Sequence, residues 1–216
     1  MRSALVTLIV GAVLLLIPSQ AQAVSSHTTQ FVASFEGFSS CVYADPAGHA
    51  TIGYGRLLHY GPPTRKDRKK WGCISETRAL KMLKKDLADY EAELLSRIRG
   101  ARVTPSMVTA LTSFAYNLGP GALDYLKAKG KGSDTNIARQ VRKGHYRRAG
   151  KQMLLFDGII VNGKRYELEG LRIRRRKEFR LMVKDIATLK QCGKKCPGRV
   201  VSGGLAPRTS GGLKIR

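Results

Sequence analysis

The sequence predicts an α+β fold, mostly helical, in which an N-terminal helix and a small β-ribbon lobe precede a larger helical lobe. Three observations predict it. Residues 28–36 set Phe31, Val32 and Phe35 on one side of a helix that Gly37 would stop. Residues 41–55 alternate short extended runs with a strong turn signal, Asp45-Pro46-Ala47-Gly48. From Ser75 onward, apolar residues recur at steps of three and four.

In the ribbon, Cys41-Val42-Tyr43 reads as extended, and residues 50–55 return as a short, glycine-spaced strand. Ser75 is placed to cap a long helix, with Glu76 in its first turn. Leu80, Leu83, Leu87, Tyr90, Leu94 and Ile98 follow on one face before Gly100 ends it. Thr104-Pro105 opens a second helix, with proline at the first position, where no N–H is needed. It carries Val108, Leu111, Phe114, Ala115 and Leu118 up to Gly119-Pro120. Shorter helices are expected at 136–143 and 146–156, a loop or hairpin around Asn162-Gly163, and a last helix over 169–189.

Residues 24–190 form one predicted domain, and the ends read differently. Met1-Arg2 is a short positive start, and 4–17 is apolar except for Thr7 and Gly11. Pro18-Ser19-Gln20 breaks that run, and Ala21-Gln22-Ala23 has the small-x-small form of a signal-peptidase site. Residues 1–23 are therefore predicted to be a signal peptide. The apolar run rises only about 21 Å as a helix, short of the roughly 30 Å hydrocarbon core. A releasable anchor reaching to Val24, making transient membrane contact, is the alternative. Either way the chain is expected to be exported. Residues 191–216, rich in glycine and proline and free of acids, are predicted to be a disordered basic tail.

Four cysteines in an exported chain point to disulfides, with three possible pairings. The separation of the two clusters favours Cys41–Cys73 and Cys192–Cys196. A zinc site lacks a second ligand pair near Cys192-x-x-x-Cys196, and His49, His59 and His145 are scattered. No metal or cofactor is expected.

Chemistry is expected from Glu36, Asp45 and Thr51. Phe35 and Phe38 flank Glu36, and a carboxyl in apolar surroundings resists ionisation, as a general acid requires. Asp45 lies on a polar turn, where a carboxylate stays ionised. Thr51 returns on the next strand with a hydroxyl that can hold a water beside it. Cleaving a glycosidic bond needs this asymmetric pair, one proton donor and one carboxylate across the sugar. The ordinary alternative is a helix-end charge and the first residue of a β-turn. Carboxylate pairs are common, and spacing alone does not decide between the two.

Eight residues separate Glu36 from Asp45, and five separate Asp45 from Thr51. Thr51-Ile52-Gly53-Tyr54-Gly55, Gly72-Cys73-Ile74-Ser75, the run Ser113-Phe114-Ala115-Tyr116-Asn117-Leu118-Gly119, and Gly170-Leu171 with Arg174, Arg175 and Glu178 follow in order. With these motifs the chain resembles the phage-type lysozymes of the T-even and lambdoid phages. The resemblance implies a lysozyme-like fold with a cleft between the lobes. It also implies an endolysin-type muramidase that cuts the β-1,4 linkage between N-acetylmuramic acid and N-acetylglucosamine in peptidoglycan. By the same resemblance Glu36 is the acid, Asp45 directs or activates water, and Thr51 positions that water. Family members invert, so the carboxyl carbons are expected farther apart than the roughly 5–5.5 Å of a covalent nucleophile. Arg174 and Arg175 are candidates to hold Glu36 or to bind substrate in the cleft. Departures are Arg56, where many relatives carry histidine, and Cys41 inside the ribbon.

Rival readings are a lytic transglycosylase, which would not need Asp45 and Thr51, and a non-enzymatic cationic wall-binding or membrane-disrupting protein. The net charge of +24, from 39 Lys+Arg against 15 Asp+Glu, attracts polyanions. Arg139, Arg142, Lys143, Arg147, Arg148 and Lys151 surround Tyr146, a pattern compatible with a nucleic-acid patch or a solvated helical face. For an exported chain the favoured partner is the anionic cell envelope, with no specific nucleic acid. A monomer in the periplasm or outside the cell is expected.

Overall fold

The computed structural model describes residues 24–124, 136–191 and 199–200. The predicted leader at 1–23 and the Cys192–Cys196 pairing lie outside them. Helix α1 (Ser26–Ala33) starts at Ser25, whose hydroxyl accepts the N–H of Thr28. It ends three residues earlier than predicted. The amides of Phe35 and Glu36 turn back to the carbonyls of Val32 and Ala33, so Glu36 sits in a bend beyond the helix. Strands β1 (Ser39–Ala44), β2 (Ala50–Gly53) and β3 (Arg56–His59) then form an antiparallel sheet in chain order. Cys41 and Cys73 are joined across 32 residues, tying β1 to the start of the long helix as the spacing predicted. A loop of that length contributes about 3–4 kcal/mol through the unfolded chain.

Helix α2 (Arg65–Trp71), which the apolar pattern does not announce, is held by a capping box between Thr64 and Asp67. Its Trp71 packs half-buried on the ribbon-lobe core. Helix α3 (Glu76–Arg97) begins at the predicted cap, Ser75, and at 22 residues is about 33 Å long. Its Leu83 and Leu87 belong to the first core, with Val32, Val42, Ile52 and Ile74. Leu94 belongs to the second, with Ile98, Met107, Leu111 and Phe114. One helix thus joins two lobes.

Strand β4 (Arg102–Val103) leads to α4 (Pro105–Leu118), in which nine consecutive residues, Met107 to Ala115, are buried. A helix buried on all sides belongs at a lobe's centre. After a 3-10 turn (Pro120–Leu123) come α5 (Ile137–Arg142) and α6 (Tyr146–Met153). Strands β5 (Gly158–Val161) and β6 (Lys164–Glu167) form the hairpin that Asn162-Gly163 signals, with φ of 50° and 74° at those residues. Positive φ at both positions matches a type I′ turn. The last predicted helix is two, α7 (Glu169–Lys184) and α8 (Ile186–Gln191). Helices α6 and α7 approach closely at Gly150, where a Cβ would come within 2.8 Å of Phe179. Within the tail predicted to be disordered, β7 (Arg199–Val200) pairs with β4.

Candidate active site

The bend after α1 delivers Glu36, its side chain 16% exposed, to the guanidinium of Arg174 on α7. Arg174 Nη1 donates to Glu36 Oε1 at 2.8 Å. The expected apolar surround is therefore corrected: a cation meets the carboxyl, and Phe35 stacks on that cation, 4.9 Å from ring centroid to Cζ. Position 36 lies so close to α7 because α1 docks on the helical lobe. Thr28 and Thr109 share a buried 2.8 Å hydrogen bond between hydroxyls.

Arg174 is itself fixed from behind. Its Nη2 donates to the Ser113 carbonyl at 3.1 Å, and its Nε lies 3.3 Å from both Ser113 Oγ and Glu178 Oε1. Ser113 Oγ donates to Glu178 Oε1 at 2.6 Å. Glu178 is fully buried. Burial pushes its carboxyl up, while Arg175, Arg174 and the Ser113 hydroxyl hold it down. Arg175 Nε lies 3.1 Å from Glu178 Oε2 without hydrogen-bond alignment, its Nη2 donates to Asn117 Oδ1 at 2.8 Å, and its guanidinium covers the Phe114 ring. Burial lowers its pKa to about 10. Two guanidinium groups and two carboxyl groups thus form one chain from the buried centre of the helical lobe out to Glu36. Of the two arginines singled out in the sequence, Arg174 reaches Glu36, and Arg175 stays enclosed beside Glu178.

At the other end of β1, Asp45 is held by its neighbours. Its Oδ1 accepts the amides of Ala47 at 2.9 Å and His49 at 2.8 Å, and its own N–H donates to the His49 carbonyl. This is an Asx-type turn, for which aspartate is well suited. Thr51 is fully buried, and its hydroxyl donates to the same His49 carbonyl at 3.2 Å. His49 Nδ1 accepts the Gly61 amide at 3.1 Å, and its ring meets Tyr60 edge-on. His49 therefore gathers Asp45, Thr51 and the end of β3. Sequence reading missed it, although the Asp45-x-x-x-His49 spacing over a glycine was the available signal. Arg56 pairs with Asp86 of α3 at 3.4 Å.

Nearby, Tyr54 donates from its hydroxyl to Glu76 Oε1 at 2.7 Å. Burial, reinforced by Glu76, pushes that phenol up to about 12, so it keeps its proton and ties the sheet to the first turn of α3.

Two lobes joined by one helix, with a carboxyl group beyond each end of the first ribbon strand, make the architecture lysozyme-like. A family model described as phage lysozyme matches residues 33–178, and the chain belongs to that family. The endolysin of Bacillus phage B103 is 31% identical over 153 residues, which are 68% of this chain and 52% of that protein. The matched region thus spans about half of that relative's length. Among solved structures, the endolysin of Escherichia coli O157:H7 phage FAHEc1 superposes with a TM-score of 0.60 at 25% identity, over 76% of this chain and 95% of that one. The muramidase domain of SpmX from Asticaccaulis excentricus gives 0.58 at 25% identity, over 74% and 97%.

Proposed function

We propose that this chain is a peptidoglycan-lytic enzyme, and more finely a muramidase that hydrolyses the linkage between N-acetylmuramic acid and N-acetylglucosamine. The observation that carries the reading is the contrast between two carboxyl groups on either side of β1, one clamped by Arg174 and one locked into a turn by His49. Family membership supports the substrate class, and the named muramidase domain among its structural neighbours supports the bond.

In this mechanism Glu36, gripped at Oε1, gives the proton on Oε2 to the glycosidic oxygen. The bond from that oxygen to the anomeric carbon breaks as a water attacks the opposite face. Asp45 orients that water and takes its proton, while Thr51 shapes the loop that carries Asp45. The products are two chain ends, one of them reducing, and no cofactor is consumed. Arg174 is a positioning residue, since it acts through Glu36. The leader at 1–23, as signal peptide or releasable anchor, brings residues 24–190 to the wall, and the positive surface speeds the encounter.

Turbidity loss of purified cell walls tests the assignment. Glu36→Gln is expected to reduce the rate by at least about a hundredfold through loss of the proton donor, with Asp45→Asn also strongly impaired. Full lysis by Glu36→Gln would replace the enzyme with a cationic wall-disrupting protein. Anhydro ends in the digest would replace hydrolysis with transglycosylation.

A further inference from the structure

Nine large apolar side chains are well exposed among the described residues, and seven of them lie between positions 155 and 173. Their centre is the β5–β6 hairpin, where neither strand is buried on either face. The register pairs Ile159 with Tyr166 and Val161 with Lys164. Because side chains alternate along a strand, these four residues share one face. Ile159, Val161 and Tyr166 are each close to half exposed there, and the Lys164 ammonium sits 5.6 Å from the Tyr166 ring centroid. Ile160, 66% exposed, projects from the other face near the turn. A hairpin tip of three successive aliphatics gains nothing from water, and patches of this kind mark contact sites.

The surrounding charge identifies the partner. Residues 146–180 hold eleven Lys+Arg and four Asp+Glu. All four acids are engaged: Asp157 and Glu167 by Arg165, Glu169 by Arg172, and Glu178 by Arg174 and Arg175 in the buried centre. Lys164 on the hairpin, Arg147, Arg148 and Lys151 on α6 before it, and Arg176 on α7 after it are all exposed. An aliphatic tip carried between two cation-rich helices suits acyl chains below anionic headgroups. Sugar rings are gripped by flat aromatic side chains, whereas the tip here is aliphatic and its one aromatic neighbour, Tyr166, already has the Lys164 ammonium over its ring. We infer that the β5–β6 hairpin is a docking element for an anionic lipid surface, separate from the N-terminal apolar segment.

A reporter in the hairpin itself separates the two membrane contacts. In the full chain, Trp71→Phe removes the single native tryptophan and Val161→Trp places one near the tip. With vesicles of phosphatidylglycerol and brominated phosphatidylcholine, its emission is expected to shift to the blue and be quenched. Neutral vesicles or high salt should weaken both effects. Ile159→Asp with Val161→Asp should lower vesicle affinity by about tenfold for a hairpin contributing on the order of 1.4 kcal/mol, with hydrolysis of soluble wall fragments unchanged. Unaltered emission in protein that sediments with anionic vesicles overturns the inference. So does a shift produced by purified walls and not by vesicles, or one that grows with protein concentration alone, which would make the partner a wall polymer or a second copy.

Discussion

The two carboxyl groups beside β1 are positioned by opposite means. Asp45 is held in its turn by the amides of Ala47 and His49, two and four residues away. Glu36 is fixed by Arg174, 138 positions distant, and Arg174 by Ser113 and Glu178 inside the helical lobe. A local turn tolerates change elsewhere in the molecule. A chain of buried charges transmits it. The acid should therefore be the more fragile half of the site.

The largest stability effect is expected from Glu178→Gln, which leaves Arg174 and Arg175 buried without their shared carboxylate. A loss of about 3–5 kcal/mol in chemical denaturation is expected, together with reduced activity in the folded fraction. Near-wild-type stability would mean that the cluster is solvated and the contrast false. Next comes the ribbon side. Replacing Cys41 and Cys73 together by serine should remove about 3–4 kcal/mol, yet leave activity per folded molecule largely intact, because Asp45 keeps its own turn. Activity lost in step with Glu178→Gln would erase the distinction between the lobes.

A smaller effect concerns pH. Burial pushes the Asp86 carboxyl up to about 6 from an ordinary 3.8, with Arg56 opposing and Asp89 reinforcing the rise. Its folded pKa lies above its unfolded value, so the neutral form contributes stability that is fully present below about pH 4. That contribution is lost as pH rises through about 6. Asp86→Asn should flatten the fall in stability across this window, by about 1–3 kcal/mol at most. An unchanged slope would show that the Arg56 contact outweighs burial.

What the sequence made legible follows the same division. Ser75 and Thr104-Pro105 act as helix starts through bonds to residues three positions on, and Asn162-Gly163 makes its turn alone, so pattern reading finds them. Asp45 sits where its turn residues put it. The exit of α1 was harder. Phe35 continues the apolar pattern, but it serves as a platform for Arg174 rather than as another turn of helix, and Glu36 follows it into the bend. The roles of Ser113 and Glu178 were hidden because their partners are distant in sequence. Glu178 reads as one more charge on an arginine-rich helix until α7 is packed on α4. The β4–β7 pairing was hidden for a similar reason, since two residues of a glycine-rich tail carry no pattern of their own.

Digestion of a defined peptidoglycan fragment in 18O-labelled water examines the division of labour between Glu36 and Asp45 most directly. One labelled oxygen is expected at each new reducing end, first appearing as the α-anomer, because water attacks opposite the departing sugar. Unlabelled anhydro ends, or a product that first appears with the β configuration retained, would contradict it.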